Sequence, residues 1–460
     1  MGTVGISFGN PTGGAGFDVT TTVAAIVSNL EHVETPWKTQ LTSFTAQDAV
    51  FTSLGSNLST LSADIQTLTD PAGVLANKEG SSSDTSVLTL TSASSTAVAG
   101  THTVLVNSLA QTSTADTAEI GTTDVLTGGV AIQVGSGTAQ TINVGSTQTL
   151  AGLSAAINAA GIGVTANVIT DTNGSRLSIV SGTGGVAGQL TVSSTLVDGT
   201  KNVGTTGSPA LALTTIQAGV DASLKVDGFT VTSGTNTVSD AIPGVTFQLL
   251  ADAPSEPVQV VITNNASAVT SALTTFVSDY NTTINAITAQ EGNTSSGTPE
   301  PLYGSPILAR LQEQLQSALS SKYSSGTINS LAQLGVEAQQ NGTITLNSDT
   351  LTTILNSNYS GVSEFFQNTG TFGVTFSTLL NNLSSSNPSG TLDLALAEDK
   401  SEETTLNKNV SNEEAVVATQ KTNLTNELNT ANQELQAIPE QLQEVNELYS
   451  AITGYNQTHS

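Results

Sequence analysis

The stretch VSNEEAVVATQKTNLTNELNTANQELQAIPEQLQEVNELYSAI, residues 410–452, decides how this chain is organised. Val410, Val417, Leu424, Ala431, Ile438, Val445 and Ile452 stand seven residues apart, and Leu428, Leu435, Leu442 and Tyr449 fill a companion row. Two apolar rows on a seven-residue repeat are the a/d pattern of a helix that packs along a seam. Glu414 and Lys421 interrupt the companion row at its start. Pro439 is expected to kink or break the helix near its middle, because it has no N–H to donate. Between 393 and 460, twelve acidic residues stand against Lys400, Lys408 and Lys421, which reads as a solvated acidic face.

The other end of the chain carries the same signal. Val23, Leu30, Trp37, Phe44, Phe51, Leu58 and Ile65 are also seven apart. Ile26, Val33, Leu54, Leu61 and Leu68 form a second row, with Gln40 and Gln47 as polar interruptions. Thr35-Pro36 reads as an N-cap followed by proline at the first helical position, so helices are expected near 18–33 and 36–69. From this segment alone, a coiled coil and a helix in an ordinary bundle are both open. An amphipathic helix cannot hide its stripe from water unaided, and each buried Leu, Ile or Val is worth roughly 1.5–3 kcal/mol. The two ends are therefore expected to pack on each other or on another subunit, which is the sequence argument for assembly.

Composition shifts at Gly80-Ser-Ser-Ser-Asp84, and from there to about 262 the chain reads as strands and turns. Val87–Thr91 and Thr103–Asn107 are β-rich runs, and Asn173-Gly174, Asp198-Gly199 and Asp227-Gly228 read as hairpin turns. Leu150–Asn158 reads as one helical insert. Helical spacing returns at about 264 with Val269, Leu273, Phe276, Tyr280, Ile284 and Ile287, and continues in Leu308, Leu311, Leu315 and Leu319. A small hairpin at Asn341-Gly342, two more helical pieces to about 386 and a linker at 384–390 complete this part.

The expected fold is thus an α+β multidomain protein, with a helical or coiled-coil leg formed by both chain ends and two β-rich head domains inserted between them. The divisions are 1–78, an N-terminal helical leg; 79–110 with 220–262, one β head; 111–219, an inserted β head; 263–389, a helical region; and 390–460, the C-terminal heptad helix. Seam and assembly residues are Val23, Leu30, Trp37, Phe44, Phe51, Leu54, Leu58, Leu61, Ile65 and Leu68, with Val417, Leu424, Leu428, Leu435, Ile438, Leu442, Val445, Tyr449 and Ile452.

Composition narrows the function. The chain has 460 residues, which suggests three or four domains. With aromatics at only 4%, the cores are expected to rest on Val, Ile, Leu, Ala and the methyl of Thr. A net charge of −27 repels phosphate backbones and anionic lipid, which speaks against nucleic-acid and membrane partners. The absence of cysteine excludes disulfides, thiol catalysis and Cys-ligated zinc. No apolar run is long enough to span a bilayer, and the first residues lack the pattern of a secretory signal peptide.

Nothing in the residue pattern points to catalysis, a cofactor or a metal. His32, His102 and His459 have neither a second histidine nor a carboxylate at ligand spacing. Thr183-Gly-Gly-Val-Ala-Gly188 lacks the Gly-Lys-Ser/Thr of a phosphate loop. Asp171-Thr-Asn-Gly-Ser175 lacks the downstream glutamate of a calcium loop and reads as a hairpin turn. Glu402-Glu403 and Glu413-Glu414 stand on an exposed helix rather than in a cleft.

Several blocks resemble one family in order along the chain. They begin with Gly16-Phe-Asp18, Ile26-Val27, Leu30, Glu34 and Pro36, although the family has two residues between that Glu and Pro, where this chain has one. Next come Ser82–Leu88, Ala99–Val104 and Leu109-Ala-Gln111, with His102 in place of an aromatic. Leu153–Asn158, Val164-Thr-Ala166, Leu177–Val180 and Thr183-Gly-Gly185 resemble the short "IN" motif of flagellins and hook-associated proteins. Ala218–Ala222, Val226-Asp-Gly228, Asn236-Thr-Val238, Ala241–Val245, Phe276–Asn281, Pro301-Leu302, Leu334-Gly335 and Gly342–Leu346 follow. Together they resemble the flagellar filament-capping proteins, the FliD or hook-associated type 2 family. The final helix, with Pro439, departs most from the pattern.

The resemblance implies a structural cap, not an enzyme, in a homo-oligomeric ring at the distal tip of the bacterial flagellar filament. It implies extracellular localisation after export by the flagellar type III system without a cleaved signal peptide. Its implied partners are other copies of itself, flagellin and hook-associated axial proteins, and an export chaperone before secretion. Its β heads would form the plate and its terminal helices the legs, retaining incoming flagellin and helping it fold and insert. Two alternatives stand beside it. One is another axial component, hook–filament junction or flagellin-like, against which the 218–281 and 301–346 blocks argue. The other is a surface adhesin, for which no aromatic sugar platform is evident.

Overall fold

The computed structural model describes residues 16–144, 148–199, 210–324 and 326–454, so His459 lies outside the described residues. Helix α1 (Val19–Leu30) leads through a 3₁₀ turn (Glu31–Val33) into α2 (Thr35–Thr69). Strands β1 (Lys78–Ser82), β2 (Leu88–Ala93), β3 (Gly100–Ser108), β4 (Thr112–Thr117), β5 (Leu126–Thr127), β6 (Gly129–Val134) and β7 (Gln140–Asn143) come next. After α3 (Leu150–Ala160) stand β8 (Val164–Thr170), β9 (Ser175–Gly184), β10 (Leu190–Ser194), β11 (Val197–Asp198) and β12 (Leu213–Gln217). Then come β13 (Ala222–Val226), β14 (Phe229–Ser233), β15 (Thr237–Ile242), β16 (Val245–Leu249) and β17 (Val258–Asn264). The remainder is α4 (Ala266–Ala289), α5 (Pro306–Ser320), β18 (Val336–Ala338), β19 (Ile344–Leu346), α6 (Ser348–Ser357), α7 (Tyr359–Gln367), α8 (Phe372–Leu383) and α9 (Thr391–Thr453). Helical ends thus frame a β-rich middle.

These elements form two compact units, one of residues 67–272 with 354–363 and one of the rest. The first is the β unit, and it holds two separate apolar cores. One core lies under the antiparallel sheet β1-β17-β3-β13-β14 and the sheet β15-β16-β2. Along β13, Ala222, Leu224 and Val226 are buried while Ser223 and Lys225 are not, the period of two that a half-buried strand requires. Pairing of Lys78 with Asn264 brings the two ends of this region side by side.

The other core fills the space among β12-β4-β9-β8, β10-β6-β7 and α3, with Leu153 and Ile157 of the helix fully buried. The Thr149 hydroxyl caps α3 by accepting the Gly152 N–H at 3.2 Å. Asn158 then ties the helix to β8. Its side chain donates to the Ala166 carbonyl and accepts the Ala166 N–H, both at 2.8 Å. The two cores meet where Gln111 bridges to Val220.

Turn chemistry places the hairpins. Asp227 and Gly228, with φ of +51° and +88°, form a two-residue turn that pairs Val226 with Phe229. Two positive φ angles match the right-handed twist of the flanking strands. Between β8 and β9, Asp171 Oδ1 accepts the N–H groups of Asn173 at 2.8 Å and Gly174 at 3.2 Å, so this segment is a turn. Asp198-Gly199 opens a turn whose following residues, 200–209, lie outside those described. Asp198 is a fully buried residue of β11, which pairs with β5, and the Gly199 N–H continues that contact to the Val125 carbonyl.

The helical unit revises three expectations. Its core is aromatic: Phe276, Phe365, Phe366, Phe372 and Phe376 pack at centroid distances of 5.2–6.3 Å, with Tyr323 beside Phe365 and Phe372. A low overall aromatic content had hidden their concentration in one place; the β cores are aliphatic apart from Phe247. Between residues 348 and 383 there are three helices where two were expected. Finally, α9 continues as one helix through Pro439, so of the expected kink or break the break does not occur. The proline withdraws only the bond to the Leu435 carbonyl, and the helical bonds before and after it hold the helix continuous.

Candidate functional site: the seam of the chain ends

Helix α1 starts where Asp18 caps it, accepting the Thr21 N–H at 3.1 Å and the Thr21 hydroxyl at 2.6 Å. These bonds hold the Asp18 carboxyl below its usual range, the hydroxyl bond first. Before the cap, Gly16 takes a φ of +60° hard against Asn432, a place with no room for a Cβ. The Phe17 N–H donates to Asn432 Oδ1 at 2.8 Å. Val19, Val23 and Val27 of α1 are buried with Val417 of α9, and Phe17, Leu30, Leu424 and Leu428 close around them.

From there α2 continues antiparallel to α9. Lys38 Nζ lies 2.8 Å from Glu34 and 3.1 Å from Glu414, and both carboxylates hold the ammonium above its ordinary pKa, Glu34 most strongly. The Thr45 hydroxyl donates to Glu403 at 3.2 Å. Further along, Gly55 sits against Ser385 and near Leu392. Position 38 thus meets 414, 45 meets 403 and 55 meets 392, an antiparallel pairing of α2 with α9. Glu34, not Thr35, takes the cap position: its carbonyl accepts the Lys38 N–H at 2.9 Å, and Thr35 is already helical. Pro36 therefore stands one position deeper in the helix than expected.

Not every seam residue has the same surroundings. Phe51, Leu54, Leu58, Leu61, Ile65 and Leu68 are almost completely buried, and Val23 and Val417 nearly so. Leu30, Trp37, Phe44, Leu424, Leu428, Leu435 and Ile438 are half-buried. Leu442, Val445, Tyr449 and Ile452 are 44%, 61%, 51% and 74% exposed, and Leu448 beside them is 62% exposed. The pairing therefore covers α9 as far as the residues around Asn432, and the apolar stripe runs on without a cover among the described residues.

Carboxyl groups also meet across the seam. Asp48 on α2 faces Asp399 on α9, and Asp64 on α2 faces Asp279 on α4. Burial pushes Asp399 up to about 6, helped by Asp48, and pushes Asp64 up to about 6, helped by Asp279. Sequence reading missed both pairs, because the partners lie hundreds of residues apart and each acid alone looks like a solvated surface charge. No helix among the described residues is long and apolar enough to cross a membrane.

Comparison with known proteins adds an independent line. The model of the flagellar hook-associated protein 2 N-terminus matches residues 15–113, and that of the flagellar hook-associated protein 2 C-terminus matches residues 219–452. A polar flagellar hook-associated protein 2 of Vibrio parahaemolyticus is 30% identical over 169 residues, covering 35% of this chain and 25% of that protein. A B-type flagellar hook-associated protein 2 of Pseudomonas aeruginosa is 28% identical over 218 residues, covering 43% of this chain and 46% of its own. The matches thus span between a quarter and just under half of these relatives' lengths. The crystal structure of the flagellar cap protein FliD D1-D2-D3 domains from Escherichia coli superposes with a TM-score of 0.55 at 27% identity. It covers 76% of this chain and 99% of that one.

Proposed function

The chain belongs to the flagellar hook-associated protein 2 family, and on that premise we propose that it caps the distal end of a bacterial flagellar filament. There it retains exported flagellin and promotes its folding and insertion as the filament grows. The role is structural. The observation that carries this reading is the seam itself: the chain ends pair antiparallel, and α9 then presents an acidic helix with an apolar stripe beyond its own partner. A helix of this kind binds by laying its stripe against another subunit.

In this reading the terminal helices, residues 1–78 and 390–460 with 263–389, form the leg. Residues 79–110 with 220–262 form one head domain and 111–219 an inserted one, each built on its own core. The seam residues from Val23 to Leu68 and from Val417 to Ile438 hold the leg together, and Leu442, Val445, Tyr449 and Ile452 serve assembly. The working state is a ring of copies at the filament tip, outside the cell, reached through the flagellar type III system after release from a chaperone. Flagellin and hook-associated axial proteins are the partners it meets there.

The test is a chain ending before residue 393, expressed in the source bacterium in place of the full chain. The expected result is a folded β unit, no filament growth and flagellin lost to the medium. Normal motility in that strain would overturn the capping role.

A further inference from the structure

Beside the α2–α9 pairing, the helical unit carries a groove of about 470 Å³ lined by residues of α5, α8 and the start of α9. Part of its wall is apolar: Ile307 and Leu379 are half-buried, and Leu394 is 57% exposed. Two polar groups on one face of α5 give the groove its chemistry. Arg310 is exposed on the wall and, among the described residues, makes no ion pair, although Glu398 lines the same groove. Gln314, one turn along, keeps its Oε1 buried with no hydrogen-bond partner. A guanidinium presents a fork of donors matched to a carboxylate, and a buried amide oxygen is satisfied by an incoming N–H.

We propose that this groove is a contact with a second copy of the chain. Arg310 receives a carboxylate of that copy, Gln314 Oε1 accepts an N–H, and an apolar side chain fills the space between Ile307, Leu379 and Leu394. Charge selects the occupant. Each copy carries −27, with 37 acidic residues against 10 basic ones, so two copies repel each other wherever carboxylate faces carboxylate. An assembly of such chains needs its few unpaired cations at the contacts, and Arg310 stands in a groove shaped to take a side chain. A groove on one copy filled by a different surface of the next is a head-to-tail contact, the kind that closes into rings. The inference rests on the ring assembly proposed above and names one of its contacts.

The chain has no cysteine, so a single introduced thiol is a clean probe. Arg310→Cys, labelled with a photo-crosslinker in the assembled full-length protein, should join two copies through an Asp- or Glu-bearing peptide, read by mass spectrometry. Crosslinks confined to one copy, including those to its own first fifteen residues, overturn the proposal. In parallel, Arg310→Glu should raise the concentration needed for assembly on the order of tenfold with far-UV circular dichroism unchanged, and Arg310→Lys should raise it less. A wild-type ring that Arg310→Glu leaves intact removes this contact alone. A wild-type chain that stays monomeric removes the ring reading with it.

Discussion

Asp48 of α2 and Asp399 of α9 face each other across the seam, each with a carboxyl oxygen buried. Two carboxyl groups so placed share a hydrogen bond only while one of them keeps its proton. Burial raises both, and Asp399 is the one pushed up to about 6, with Asp48, Glu398 and Glu403 adding repulsion. Lys400 nearby partly relieves Asp48. Below about pH 6 the seam of an acidic protein is therefore closed in part by an uncharged carboxylic acid.

A raised folded-state pKa means the folded protein binds the proton more tightly than the unfolded chain does. Stability from Asp399 and Asp64 is therefore present in mild acid and is lost as pH rises from about 4 toward 6. Thermal melts of the full chain should show this fall. Asp399→Asn, which keeps a donor for Asp48 and loses the charge, should raise the melting temperature at pH 7.5 by a few degrees and have little effect at pH 4.5. An equal effect at both values would show that the pair does not hold a proton.

Leu58 of α2 and Leu435 of α9 carry the same seven-residue spacing but have different surroundings, being 1% exposed and half-buried respectively. Leu58→Ala should cost roughly 2–5 kcal/mol in denaturant unfolding of the helical unit, and Leu58→Glu more. Leu435→Glu should cost less and chiefly loosen the pairing with α1, read as faster hydrogen exchange there. Identical losses at both positions would mean the seam is uniformly packed.

Ile452→Ser and Val445→Ser change residues that are 74% and 61% exposed, so monomer stability should move by less than about 0.5 kcal/mol. Filament growth in the source bacterium should nevertheless fall, because the stripe's partner is another molecule. Motility equal to wild type would detach this end of α9 from assembly.

In the β13–β14 turn, Asp227 sits at φ +51° and binds His102 Nδ1 at 2.7 Å and the Thr103 N–H at 2.8 Å. Asp227→Gly keeps the backbone shape and loses the bonds, whereas Asp227→Ala loses both. The alanine variant should be less stable than the glycine variant by about 1 kcal/mol, measured by urea unfolding of the β unit.

What could be read from the sequence followed from periodicity. The seven-residue rows placed α1, α2 and α9, because a repeat that long has few physical explanations other than a buried stripe. Asp227-Gly228 and Asp171–Ser175 were legible as turns because the residues that form them are adjacent. The pairing of Asp198 with β5 was not legible, because that strand lies some seventy residues away and leaves no local trace. The aromatic core was invisible to a composition average. Pro439 does not break α9, since losing one helical bond in a helix of 63 residues does not end it. Among the seam residues, spacing alone could not separate the buried Leu58 from the exposed Ile452.

The bond between Phe17 and Asn432 closes a loop of 415 residues, and this has a kinetic consequence. Helix α1 cannot take its final position until most of α9 has been made. During synthesis α1 waits with its valines uncovered while both β cores, whose contacts lie nearer in sequence, can form behind it. Closing the seam is then a late encounter between two distant ends, sensitive to anything that holds either of them. A chain built this way stays receptive at its ends for as long as it is being made.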